Sequence, residues 1–218
     1  WTGFTLKWYS ELFRQADVWR AFLNTVIIAF SSSLVATAIG TFSAMALYWY
    51  QSRLKGYLGI LVYTPLIIPD ILMGVSMLIF FVAIGIPLGL FTIFIAHVTF
   101  CVSYVTVTVM TRLEDFDYSV VEAARDLGAK TNQVFRKVIL PMIMPGIMAG
   151  FLLSLTLSID DFVITFFVAG PGSTTLPLKI FSMIKFGVSP VINALSTLLL
   201  VGTLIISFFG SRFRKLIF

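Results

Sequence analysis

The chain has 218 residues, 59% of them hydrophobic and only 11% charged, with a mean hydropathy of +1.01. A soluble domain carries about 25% charged residues, so this chain lacks the polar surface to cover a core of its own size in water, and lipid must be most of its solvent. The net charge of +5 would point to nucleic acid on a soluble protein; here it is first a matter of membrane topology, and no nucleic-acid partner is expected.

The opening stretch, WTGFTLKWYSELFRQADVWR, starts at Trp1 rather than Met and has no basic segment followed by an apolar one. The first apolar run is 22–50, well over the ~20 residues that cross a bilayer as helix. Ser32, Ala36, Gly40 and Ala44 recur every fourth residue in it, with Ser33, Thr37 and Thr41 one position along. Small residues at that spacing let helix backbones approach closely, and they predict ordinary packing within a bundle.

A short basic connection, 51–57, leads to the second run, 58–83. Here Pro65 and Pro69 interrupt the helix and Asp70 follows. Counted from Leu58 along a straight helix, Asp70 lies roughly 18 Å up, near the midplane. A carboxylate there costs at least ~3 kcal/mol on insertion scales, so it is either functional or the cap of a broken helix. Tyr63, with Trp49, Phe80, Phe162 and Phe166, could offer a π face to a cation, although with 22 Phe in the chain packing explains any one of them.

The third run, 88–110, contains His97, expected as a hydrogen-bond donor between helices, and the sole cysteine, Cys101, expected in packing. The loop 111–138 is long and charged. Ser119 and Glu122 stand in the S-x-x-E relation of a capping box, and Gly128 fits a left-handed C-terminal cap. The spacing predicts a short helix with Val120, Val121, Ala124 and Leu127 on its apolar side, and a second helix from Thr131 into the membrane, bent by Pro141 and Pro145. A helix this short needs a partner, most simply a groove on a soluble protein; a solvated charged loop is the plain alternative.

The fourth run, 139–167, has small Gly146 and Gly150 within it and Asp160 and Asp161 near its outer end. Neighbouring helical residues point about 100° apart, so one aspartate is expected to face a central pathway while the other caps, bonds a neighbouring helix or reaches the interface. No Lys or Arg lies in the spans that hold Asp70, Asp160 and Asp161, so their natural partner is a cation from outside. The stretch 168–190 is rich in Gly and Pro and predicts a short surface helix over 177–186. A fifth run covers 191–209.

Lipid leaves helix as the default, so the fold class is all-α: a polytopic membrane helix bundle forming one domain, 1–218, with five spans visible. Lys and Arg number ten on the side of 51–57, 111–138 and the C-terminus, including Arg53, Arg125 and Arg212, against five on the other. The positive-inside rule puts the 111–138 loop and the C-terminus in the cytoplasm and the Trp1 end outside. That odd count fits a further span before Trp1, although a natively external N-terminus satisfies the same arithmetic.

Glu122-Ala123-Ala124, then Gly128, Val138 and Leu140-Pro141, resembles the EAA motif of bacterial ABC importer permeases, E-A-A-x3-G-x9-I-x-L-P, with Val138 in place of the usual Ile. The resemblance implies a type I ABC importer transmembrane domain. Ser119 to Leu127 would be its coupling helix, with Ser119, Glu122, Ala123, Ala124, Asp126, Leu127 and Gly128 set against a separate ATPase. No Walker motif occurs in the chain, so ATP and Mg would sit on that partner and this subunit would be neither an enzyme nor a cofactor carrier.

TPLIIPDILMGVSML, EAARDLGA, LTLSIDDFVITFFVAGPGSTTLPLKIFSMIKFGVSPVINALST and FTLKWYSELF together resemble the PotC-type permease subunits of spermidine/putrescine ABC importers. This implies a bacterial inner (plasma) membrane subunit that pairs with a homologous permease as a heterodimer, with two ATPase subunits and an external substrate-binding protein. Polyamine would pass Asp70, Asp160, Asp161 and Tyr63. The carboxylates alone say cation; only the resemblance says polyamine. A permease for another organic cation, or an ion-driven carrier or channel subunit, stands as an alternative.

Overall fold

The computed structural model describes residues 5–50, 53–185, 187 and 189–217, with backbone alone at 53–54 and 206–217. Trp1 to Phe4 of the opening stretch and Phe186 of the expected surface helix lie outside the described residues. Among the described residues every regular element is helical: α1 (Lys7–Arg14), α2 (Ala16–Trp49), α3 (Arg53–Ile67), α4 (Asp70–Ala83), α5 (Leu90–Glu114), α6 (Ser119–Asp126), α7 (Thr131–Val134), a π-helical turn (Phe135–Ile139), α8 (Leu140–Asp160), α9 (Val163–Val168), α10 (Leu176–Lys185) and α11 (Pro190–Ile217). They gather into two compact units, 24–173 and the pairing of 1–23 with 174–218.

In the larger unit α2 and α8 both close on α5. The whole small-residue series of α2, Ser32 to Ala44, is buried, and a Cβ at Gly40 would come within 2.8 Å of Val105 Cβ. Gly146 meets the Cβ of Arg112 in the same way, at 2.8 Å, and Ser154 on α8 bonds Ser33 on α2 at 3.0 Å. Without a hydrophobic drive in lipid, close contact and interhelical hydrogen bonds of this kind hold the bundle. Leu34, Ile39 and Phe42, between the small residues, face outward.

Among the described residues three helices are long and apolar enough to cross a membrane, Ala16–Trp49, Leu90–Glu114 and Thr131–Asp160. The run read as one span over 58–83 divides into α3 and α4, which meet at 115°. Pro69 has no N–H to continue α3, disfavours helix at the residue before it and is itself extended (φ −58°, ψ 138°). The straight-helix count that put Asp70 near the midplane therefore does not apply.

The run read as 139–167 also divides. It starts at Thr131, where Gln133 Oε1 accepts from the Lys130 N–H at 2.8 Å. It passes through the π turn, where the Leu140 N–H reaches back to the Phe135 carbonyl. That extra residue per turn stands immediately before Pro141, which cannot supply the next N–H of a regular ladder. The helix ends at Asp160 because Asp161 is extended (φ −61°, ψ 123°), and α9 begins two residues later.

The smaller unit joins α1, the first turns of α2, α10 and α11 around Leu12, Val18, Leu176, Val191, Ala194 and Leu195. Lys179 on α10 is ion-paired with Asp17. The surface helix runs one residue earlier than expected, from Leu176. In α11 the apolar stretch with described side chains, Pro190–Ile205, is shorter than a full span.

Candidate functional site

Two surfaces of the larger unit hold the chemistry. The first is a cavity of about 300 Å³ lined by Asp70, Asp160, Asp161, Phe100, Tyr104 and Phe162, with Leu157, Val163 and Ile164 completing it. Three helix ends converge there. Asp70 is the first residue of α4, where the unpaired N–H groups of the first turn favour negative charge. The cap position itself is held by Pro69, which makes no side-chain cap. Asp160 closes α8 and is exposed.

Asp161 turns away from its neighbour. Its Oδ2 accepts from the Thr165 N–H at 2.8 Å and from the Thr165 hydroxyl at 2.7 Å. Its Oδ1 accepts from the Ile164 N–H at 3.3 Å, so the side chain caps the first turn of α9. The buried His97 ring on α5 stands behind it, with Nε2 at 3.3 Å from Asp161 Oδ2. The two adjacent aspartates thus take different tasks, as their 100° offset allowed, and Asp161 is the one that caps and meets a neighbouring helix, through His97.

Aromatic rings wall the cavity on two sides, Phe100 and Tyr104 from α5 and Phe162 from the elbow between α8 and α9. No Lys or Arg is among its described lining residues. Tyr63, on α3 and 43% exposed, is not among them either, nor are Trp49, Phe80 and Phe166. Phe100 and Tyr104 went unrecognised in the sequence, yet with His97 they occupy positions i, i+3 and i+7 and share one face of α5. A polar residue at the head of an aromatic stripe was the available signal.

The second surface is α6 and the start of the helix that follows. Ser119 is the first helical residue, not the cap: Asp117 Oδ1 accepts from its N–H at 2.9 Å, and no Ser119–Glu122 capping box forms. Those contacts with Ser119 hold the Asp117 carboxyl below its ordinary pKa. At the other end Gly128 is left-handed (φ +83°). Its N–H reaches the Arg125 carbonyl at 2.8 Å and the Ala129 N–H reaches Ala124 at 3.0 Å, the paired bonds of a Schellman cap.

The expected apolar side of α6 splits. Val121 is buried against Leu113, Phe116 and Val134, whereas Leu127 is 89% exposed and Val120 is 39% exposed. Glu122, Ala123 and Asp126 are also exposed, while Ala124 is half-buried. Leu127, Ala124 and Gly128 border a groove of about 410 Å³ with Gln133, Val134 and Lys137.

Comparison with known proteins gives these surfaces a setting. The chain is 46% identical over 205 residues to the spermidine/putrescine transport system permease protein PotC of Escherichia coli K12, covering 94% of this chain and 78% of that protein. It is 44% identical over 216 residues to the putrescine transport system permease protein PotI of the same organism, covering 95% and 76%. Its fold matches a chain of the MetNI methionine ABC transporter with a TM-score of 0.74 at 23% identity, over 96% of this chain and 97% of that one. Residues 18–217 match the family described as binding-protein-dependent transport system inner membrane component, and the chain belongs to that family of ABC importer permeases.

Proposed function

We propose that the chain forms half of the translocation pathway of an ATP-driven importer of polyamines, paired with a homologous permease, and that the Asp70–Asp160–Asp161 cavity receives an ammonium group of the cargo. The observation that carries this is the convergence of three carboxylates and three aromatic rings on one cavity with no basic side chain among its described lining residues. An ammonium group entering it exchanges water for carboxylate oxygens and ring faces, which compensates for desolvation. The names of the 46% and 44% identical relatives support a polyamine over other organic cations.

Asp70 begins α4 and Asp160 ends α8, so a relative movement of these two helices changes their spacing and hence the affinity for a cation held between them. That is the differential binding alternating access needs. The drive is applied at the exposed face of α6, where Glu122, Ala123, Asp126 and Leu127 meet a separate ATPase carrying ATP and Mg. A substrate-loaded binding protein docks on the opposite, external side. The uneven distribution of Lys and Arg supports a cytoplasmic α6 and C-terminus.

The test is uptake of labelled spermidine into proteoliposomes containing the permease pair and its ATPase, with binding protein supplied outside. Excess putrescine should compete, uptake should require ATP, and Asp160→Asn should cut uptake about tenfold with assembly intact, as loss of a charged contact predicts. Wild-type uptake by Asp70→Asn, Asp160→Asn and the double variant would refute the cavity as cation site. Indifference to polyamine competitors would point to another organic cation, and uptake without ATP to an ion-driven carrier.

A further inference from the structure

His97 is the buried polar group that the reading above leaves without a task. It is 1% exposed in the first half of α5, and its ring touches α8, α9 and the elbow between them. Nδ1 lies 2.6 Å from Ser158 Oγ on α8, and Nε2 lies 3.0 Å from Thr165 Oγ1 on α9 and 3.3 Å from Asp161 Oδ2 at the elbow between them. Ser158 is in turn 3.1 Å from Ser32 Oγ on α2.

The donors can be counted. Asp161 Oδ2 takes the only hydroxyl proton of Thr165, so Thr165 Oγ1 must accept from His97 and Nε2 must carry a hydrogen. Nδ1 shares a hydrogen bond with Ser158 Oγ, which in turn shares one with Ser32 Oγ, whose hydroxyl also reaches the Ala29 carbonyl at 3.4 Å. The series ends on Asp161, which takes the Thr165 proton. A network satisfied throughout fixes its members more firmly than separate pairs would.

We propose that His97 is a positioning residue for the cation site: by holding Asp161 as the cap of α9 it fixes the elbow that presents Asp160 and Phe162 to the cavity, and through α9 it sets the distance from Asp160 to Asp70. The last link is packing. A Cβ at Gly74 on α4 would lie 2.6 Å from Phe167 Cδ2 and 3.4 Å from the Ile164 Cα on α9, so these helices touch with no slack. Asp70 stands one turn before Gly74. Where α9 is pinned, the head of α4 is pinned too. A polyamine places its ammonium groups at set intervals, so carboxylate spacing is a determinant of which cation is held.

This rests on the reading of the cavity as a cation site, and the experiment separates the two. Equilibrium binding of labelled spermidine is measured on the complete transporter in nanodiscs without binding protein, together with thermal unfolding, for wild type, His97→Leu, His97→Gln, Thr165→Val and Asp160→Asn. His97→Leu removes the donor and leaves buried Asp161 and Thr165 short of a partner, so Kd should rise about tenfold. His97→Gln keeps a terminal N–H donor and should stay within about threefold of wild type. Thr165→Val should weaken binding in the same direction as His97→Leu, which keeps the test open if His97→Leu does not assemble.

Wild-type Kd in both His97→Leu and Thr165→Val would overturn the positioning role, as would a His97→Gln variant as weak as His97→Leu. So would a fall in unfolding temperature with Kd unchanged, since that is the mark of a residue that only holds the bundle. If Asp160→Asn also binds like wild type, the cation site itself is wrong; if Asp160→Asn weakens binding and the His97 and Thr165 variants do not, only the present inference fails.

Discussion

Gly74 carries more of the site's geometry than its absent side chain suggests. A methyl group there would press on the Phe167 ring and the α9 backbone, and overpacking of a closed contact costs about 1–3 kcal/mol. Gly74→Ala should therefore lower the unfolding temperature in detergent and weaken spermidine binding together, because the cost falls on the contact that relates Asp70 to Asp160. Unchanged unfolding would mean that α4 and α9 can separate freely. The neighbouring aspartates show the limit of residue-level reading: their sequence positions require different directions, but which of them caps α9 depends on His97, 64 positions back in the chain.

Among elements, α6 is the one whose two faces make opposite predictions. Val121 is packed under the helix and Leu127 projects from its end. Val121→Ala should destabilise the subunit by about 2 kcal/mol in thermal unfolding. Leu127→Ala should leave unfolding unchanged and weaken retention of the ATPase about tenfold, as removal of a hydrophobic contact buried only in the complex predicts. Equal ATPase affinity in a Leu127→Ala pull-down titration would remove Leu127 from the coupling surface. The helix itself and its Gly128 terminus were legible because both are local signals. Its true cap was not, since Asp117 and Ser119 both offer capping chemistry and only the backbone path selects between them. The same holds for the broken spans: prolines announced an interruption near Pro69, but the 115° angle follows from what α4 packs against.

For the whole molecule, orientation is the property that the uneven charge supports most directly. Cys101 is fully buried, so single introduced cysteines report alone. Leu127→Cys should react with a membrane-impermeant maleimide only from the cytoplasmic side and Pro171→Cys only from outside; the reverse pattern would invert the topology. Composition and hydrophobic run length by themselves determined an all-helical membrane protein, and the E-A-A-x3-G spacing determined its kinship, because these are properties of consecutive residues that lipid and helix geometry read directly. Tertiary structure decided the site. Ser32 and Ser158 are 126 residues apart and His97 and Ser158 61 apart, and nothing in their local sequence marks them as partners. They meet because small residues let α2 and α8 close on α5, and a polar group buried by that closure must find its hydrogen bonds among whatever the packing brings within reach.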